Sequence, residues 1–165
     1  MPNEFDSVID AILIREGGSK VTNTTSDKGG RTQWGISEKA NPEAWADGKV
    51  SEAEAREIYL QKYVIGPGFH TIPPSHKTTQ AHLIDFGVNS GPAISIQKLQ
   101  EILKVKPDGV VGPKTLAAMV GVDDRTLNNQ LVVSRVKMIA RLVQRHPGQV
   151  KFLSGWLNRA TCFIR

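Results

Sequence analysis

Apolar residues at helix spacing recur along this chain in short runs, and glycine or proline closes nearly every one. Phe5, Val8, Ile9, Ile12 and Leu13 form the first run, stopped by Gly17-Gly18; glycine takes the left-handed cap conformation without strain. Ser51-Glu52-Ala53-Glu54 is a capping box that starts a second helix, running to about Tyr63. Gly66-Pro67-Gly68 and Pro73-Pro74 mark an irregular connection. Further helices are predicted over 76–88, from about Ile94 to Leu103, over 113–120 with Pro113 at its first position, and over 126–145. His146-Pro147-Gly148 precedes a last helix carrying Phe152, Leu153, Trp156 and Leu157. Only residues 19–36, rich in Gly, Ser, Thr, Asn and Asp, resist this pattern and read as a loop or short hairpin. The chain is therefore predicted to be mainly α, with one polar hairpin after the first helix.

A chain of 165 residues that is 39% apolar and 22% charged can bury a core and is not a disordered segment. Its apolar runs are too short to span a bilayer. The opening Met1-Pro2-Asn3-Glu4-Phe5-Asp6 lacks a basic segment followed by an apolar one, so neither signal peptide nor signal anchor is expected. With no linker or repeat, a single domain is expected, its parts 1–94 and 95–165 packed in one core. The lone cysteine, Cys162, excludes an intrachain disulfide and reads as a buried, inert thiol.

The net charge of +5 is unevenly placed. All 16 acidic residues lie between Glu4 and Asp124, and eight cations with no acid follow from Arg125 onward. Such an end suits an anionic polymer, unless it is only a solvated helix face. Lys137, Arg141 and Arg145 recur at four-residue spacing, opposite Val132, Val136, Ile139 and Val143. Nucleic acid is not the expected partner, because no binding motif accompanies the charge. His70, His76, His82 and His146 have no metal-ligand spacing, and no phosphate-cradling loop is present. Neither metal nor cofactor is expected.

Glu16 closes the first helix beside two glycines and a polar loop. A carboxyl there lies at the negative end of the helix dipole, where ionisation is disfavoured, and glycoside hydrolysis needs a carboxylic acid of this kind as general acid. From helix position alone, an ordinary surface glutamate, or one bonding nearby backbone, is the better explanation. The segment Asp27-Lys28-Gly29-Gly30-Arg31-Thr32-Gln33-Trp34-Gly35-Ile36-Ser37 then brings an acid, a hydroxyl, an amide, an aromatic and three glycines into one loop. Asp27 suits stabilisation of an oxocarbenium-like transition state, and Thr32 suits placement of a water. Trp34 either stacks on a sugar or anchors the hairpin. Asp85 and Asn89, four apart on one helical face, either bond glycan acetamido groups or, for Asp85, serve the helical core.

These blocks resemble glycoside hydrolase family 108: Glu16-Gly17-Gly18, the run from Asp27 to Ser37, Asp85-Phe86-Gly87-Val88-Asn89-Ser90-Gly91-Pro92, and Lys98-Leu99-Gln100 followed by Asp108-Gly109-Val110-Val111-Gly112-Pro113-Lys114-Thr115. The last pair is similar to that family's predicted peptidoglycan-binding region. Residues 19–26 look like a small insertion before Asp27. The resemblance implies a lysozyme-like fold and a phage endolysin or N-acetylmuramidase that hydrolyses the β-1,4 bond from N-acetylmuramic acid to N-acetylglucosamine. It implies Glu16 as catalytic acid, with Asp27 and Thr32 as second and third catalytic members; Trp34, Asp85 and Asn89 are the substrate-contact candidates. The partner is then bacterial peptidoglycan, with lipopolysaccharide or wall polyanions as candidates for the basic C-terminal helices. A monomer is expected, made in the host cytoplasm and acting in the periplasm or wall once a holin opens the membrane. The rivals are a lytic transglycosylase on the same bond and a non-catalytic wall-binding protein.

Overall fold

Helix α1 (Asp6–Arg15) ends on Glu16 as its C-cap, followed by Gly17 and Gly18 at φ +96° and +60°. The Gly18 N–H donates back to the Leu13 carbonyl at 3.0 Å, which satisfies one of the carbonyls a helix end leaves open. This is a computed structural model, and it describes residues 3–23 and 30–165. The chain divides into two units, Met1–Val64 and Ile65–Arg165.

In the first unit, the polar segment folds as three short antiparallel strands in the order β1 (Thr22–Asn23), β2 (Arg31–Gln33) and β3 (Ile36–Ser37). Thr32 pairs with Thr22 on one side and with Ser37 on the other. Trp34 and Gly35 join β2 to β3, both at positive φ (+55° and +75°), the signature of a two-residue hairpin turn that matches strand twist. Arg31 grips Glu38 through two bonds of 2.9 and 2.8 Å, with its guanidinium over the buried Trp45 ring. Helix α2 (Glu52–Leu60) starts on the capping box, with Ser51 and Glu54 each accepting from the other's backbone N–H, and passes into a π-helical stretch, Gln61–Ile65. Arg56 binds Glu52 on its own helix and Asp10 of α1. Phe5, Ile9, Ile12 and Leu13 of the first run are buried with Trp45, Ala55 and Tyr59.

In the second unit, α3 (Lys77–Ser90) packs on α4 (Pro92–Ile102) and α6 (Asp124–Arg145), and α6 also carries α7 (Leu153–Thr161). Asp124, in the first turn of α6, accepts from the Thr78 and Thr79 N–H groups and the Thr79 hydroxyl, closing the N-terminus of α3 across sequence. Helix α5 (Pro113–Val120) begins on the proline, as its fixed φ favours. Gln100 is buried, and its amide nitrogen donates to Asp108, to the Val110 carbonyl and to Thr115, while its oxygen accepts from Gly109. The Gln100 and Asp108–Thr115 blocks of the sequence thus meet, and their chemistry is that of holding a loop. No described helix is long and apolar enough to cross a membrane.

Candidate active site

Local rules put Glu16 where it is. Leu13 and Ile12 commit α1 to the core, the Gly17-Gly18 pair ends the helix, and Glu16 is left half-buried at the turn. Its stem lies against the hairpin: a methyl group added at Gly35 would come within 2.8 Å of Glu16 Cβ and 3.1 Å of Cγ. Only glycine permits this approach, since Gly35 also has positive φ.

The turn that meets Glu16 is pinned from three directions. The Trp34 N–H donates to the Gly18 carbonyl at 3.0 Å, directly beside the end of α1. Its indole Nε1 donates to the Val50 carbonyl at 3.1 Å. The buried Tyr59 of α2 donates its hydroxyl to the Trp34 carbonyl at 3.0 Å. Gln33 adds a clamp, with its amide donating to the Ser19 carbonyl and accepting from the Val50 N–H. Left-handed φ at a tryptophan is strained and persists only when surroundings over-determine it; these bonds are that over-determination.

Of the two roles open to Trp34, its bonds are those of an anchor, and it lines a hollow of about 340 Å³ with Leu13, Ile14 and Arg56. Thr32 is half-buried at the centre of the small sheet, and its hydroxyl has no protein partner among the described residues. Asp27 lies outside the described residues. Tyr59, which holds this turn, was passed over in the sequence because it registers only as an apolar position of α2.

Of the two readings open to Asp85, glycan contact or helical core, its surroundings are those of the second. Its carboxylate is fully buried in the second unit, with Oδ2 2.9 Å from Arg135 Nη1 and Oδ1 3.0 Å from Arg159 Nε. Those contacts assign it to the core rather than to a glycan. Asn89, one turn later, is exposed and lines a groove of the same unit. The pairing also revises the basic C-terminal end. Arg135 is buried to 1% and, like Arg159, answers Asp85, so neither is a free surface cation. Cys162 is exposed rather than buried, because α7 ends at Thr161 and the thiol falls past the packed helix, donating to the Arg159 carbonyl at 3.1 Å. No group of His, Cys, Asp and Glu suited to a metal occurs among the described residues.

His82 is the titratable group most altered by the fold. Burial pushes its imidazole down to about 3, and the nearby Arg135 charge acts in the same direction. It stacks on Phe163 at 4.4 Å between ring centres, and its Nδ1 meets Asn128 Oδ1 at 3.0 Å. This neutral histidine belongs to the second unit's core.

The family model described as glycosyl hydrolase 108 matches residues 9–91. A second, described as a predicted peptidoglycan domain, matches residues 94–161. The two matches part between residues 91 and 94; the structural units part earlier, at Val64, because α3 packs with α4 and α6. The solved structure of Brucella abortus SagA superposes with a TM-score of 0.67 at 29% identity, covering 98% of this chain and 95% of that one. No curated protein matches significantly.

Proposed function

The chain belongs to the glycosyl hydrolase 108 family and is a lysozyme-like glycoside hydrolase that degrades peptidoglycan, and on that premise we propose that it is a phage endolysin cutting the β-1,4 bond from N-acetylmuramic acid to N-acetylglucosamine. Glu16 donates a proton to the leaving oxygen. Asp27 offers a second carboxylate to the oxocarbenium-like centre, and Thr32 holds the attacking water. The observation that carries this reading is the packing of Glu16 against the Trp34–Gly35 turn: a carboxyl at a helix end, fixed beside the hairpin whose central strand carries Thr32. Fixing the acid in this way supplies the orientation that general acid catalysis requires.

In this reading the enzyme is a monomer made in the host cytoplasm, and it reaches the wall when a holin opens the inner membrane. Cells expressing it should stay intact until chloroform is added; spontaneous lysis would overturn holin-dependent access.

Muropeptide mass spectrometry after digestion of purified sacculi tests the chemistry. Hydrolysis yields reducing N-acetylmuramic acid ends, whereas 1,6-anhydro ends would make the protein a lytic transglycosylase. Glu16→Gln keeps the shape and removes the proton, and should lower the rate by about 10²–10⁴-fold. Asp27→Asn should match that loss if Asp27 is a nucleophile and cost less if it acts through charge alone. Thr32→Ala should slow hydrolysis with little change in thermal stability. Full activity in all three variants would remove the helix end and hairpin from the mechanism.

A further inference from the structure

The end of α3, the start of α4 and the last turns of α6 enclose a groove of about 540 Å³ within the second unit. Its apolar wall is Ile94, Met138 and Leu142, of which Ile94 is 40% and Leu142 38% exposed. Its polar wall is Lys98, Arg141 and Arg145, with Asn89 at the α3 end. Among the described residues, no carboxylate lines it. Lys98 is partly answered by Glu101 at 2.8 Å, but Arg141 and Arg145 have no acidic partner among the described residues. The dipole of α6 accounts for one cation in its last turn, where Arg145 sits, and fades beyond that turn. It does not account for Arg141, which lies a full turn earlier over the groove.

We propose that this groove binds the acidic stem peptide of peptidoglycan, separately from the glycan that is cut. The proposal rests on the peptidoglycan-directed reading above. It deepens that reading by naming which part of the polymer the region matched as a predicted peptidoglycan domain holds. The glycan strand offers hydroxyl and acetamido groups and carries little charge. The stem peptide alternates carboxylates with small apolar side chains. Two unpaired guanidinium groups beside an apolar floor complement the second pattern, because a guanidinium binds carboxylate through a planar fork of donors. A phosphate-rich lipopolysaccharide surface would need the charge but not the floor.

The test uses the full chain and three probes: the soluble tripeptide L-alanyl-γ-D-glutamyl-meso-diaminopimelate, glycan strands stripped of peptide by an amidase with the freed lactyl carboxylates capped as methyl amides, and inorganic phosphate. The tripeptide should shift the NMR amide resonances at the end of α3, the start of α4 and the end of α6, and the stripped strands should leave these in place. Arg141→Glu with Arg145→Glu should weaken tripeptide binding at least about tenfold, as expected for loss and reversal of exposed charge contacts, while the reversed charge at the end of α6 lowers the unfolding temperature only slightly. The same variant should lose rate on intact sacculi and keep it on stripped strands. Lack of a tripeptide shift, or unchanged binding by the variant, would overturn the proposal. Equal shifts from phosphate would replace it with a general polyanion surface. Inactivity on both sacculi and strands would instead count against the hydrolase reading, while the tripeptide titration would still decide the groove.

Discussion

The Tyr59 hydroxyl donates to the Trp34 carbonyl at 3.0 Å and holds a left-handed tryptophan at the tip of a two-residue hairpin. The bond ties α2 to the turn that packs on Glu16, so the acid's position depends on a residue in a different helix. A methyl group at Gly35 would lie 2.5 Å from that same hydroxyl. Acid, turn and tyrosine therefore form one packed unit.

Gly35→Ala is the sharp test of this arrangement. The alanine must adopt φ near +75° and displace either Tyr59 or Glu16. The backbone term alone costs about 1–2 kcal/mol, and the contacts add to it. A large loss of sacculus hydrolysis should accompany the drop in unfolding temperature. Tyr59→Phe removes the hydroxyl and with it the bond to the Trp34 carbonyl, and should cost about 1 kcal/mol, with a smaller loss of rate that falls on kcat rather than KM. Unaltered kcat in both variants would separate the turn from catalysis.

Where structure follows from neighbours in sequence, it was legible. The Ser51–Glu54 box, Pro113 at the start of α5 and the Gly17-Gly18 stop each act over three or four residues, and each is where local chemistry puts it. The place of Glu16 at the end of α1 was legible for the same reason. Asp85, Arg135 and Arg159 are separated by 50 and 74 residues, and nothing in their immediate sequence announces the pairing. A signal does exist: Arg135 falls in register with the buried Leu131, Val132 and Ile139, so a cation on an apolar stripe implied a buried acid. Asp85, between Ile84 and Phe86 in a helix buried almost all round, was its counterpart. Cys162 misled because the apolar pattern of α7 runs past the helix end. The π-helical stretch from Gln61 likewise reads from sequence as ordinary helix.

His82 sets an acid limit on the fold. Its ordinary value is near 6.5 and its folded value about 3. Between these, the unfolded chain binds a proton that the native protein refuses, so unfolding gains from acid. The stabilising contribution is complete above about pH 6.5, declines as pH falls, and is exhausted near pH 3, at about 1.4 kcal/mol for each pH unit in that window. His82→Phe should flatten the fall in urea midpoint between pH 6.5 and 4. A profile as steep as that of the wild type would place the acid sensitivity elsewhere.

Asp85 and Arg135 make the last prediction, because their burial separates two roles that sequence alone leaves together. A core ion pair and a glycan ligand respond oppositely to mutation. Asp85→Ala would take from Arg135, with a side chain 1% exposed, and Arg159, 14% exposed, the carboxylate that they share. Removing one member of such a pair costs about 3–5 kcal/mol, since the remaining charge stays desolvated. Arg135→Met should cost less, because Asp85 retains Arg159 and the methionine fills volume against Phe86. The order of urea midpoints should therefore be wild type, Arg135→Met, then Asp85→Ala. Asp85→Asn keeps the shape and should fall between the last two. If Asp85→Asn instead unfolded like the wild type but raised KM on sacculi, Asp85 would belong to the substrate, and the pairing seen in the core would be incidental.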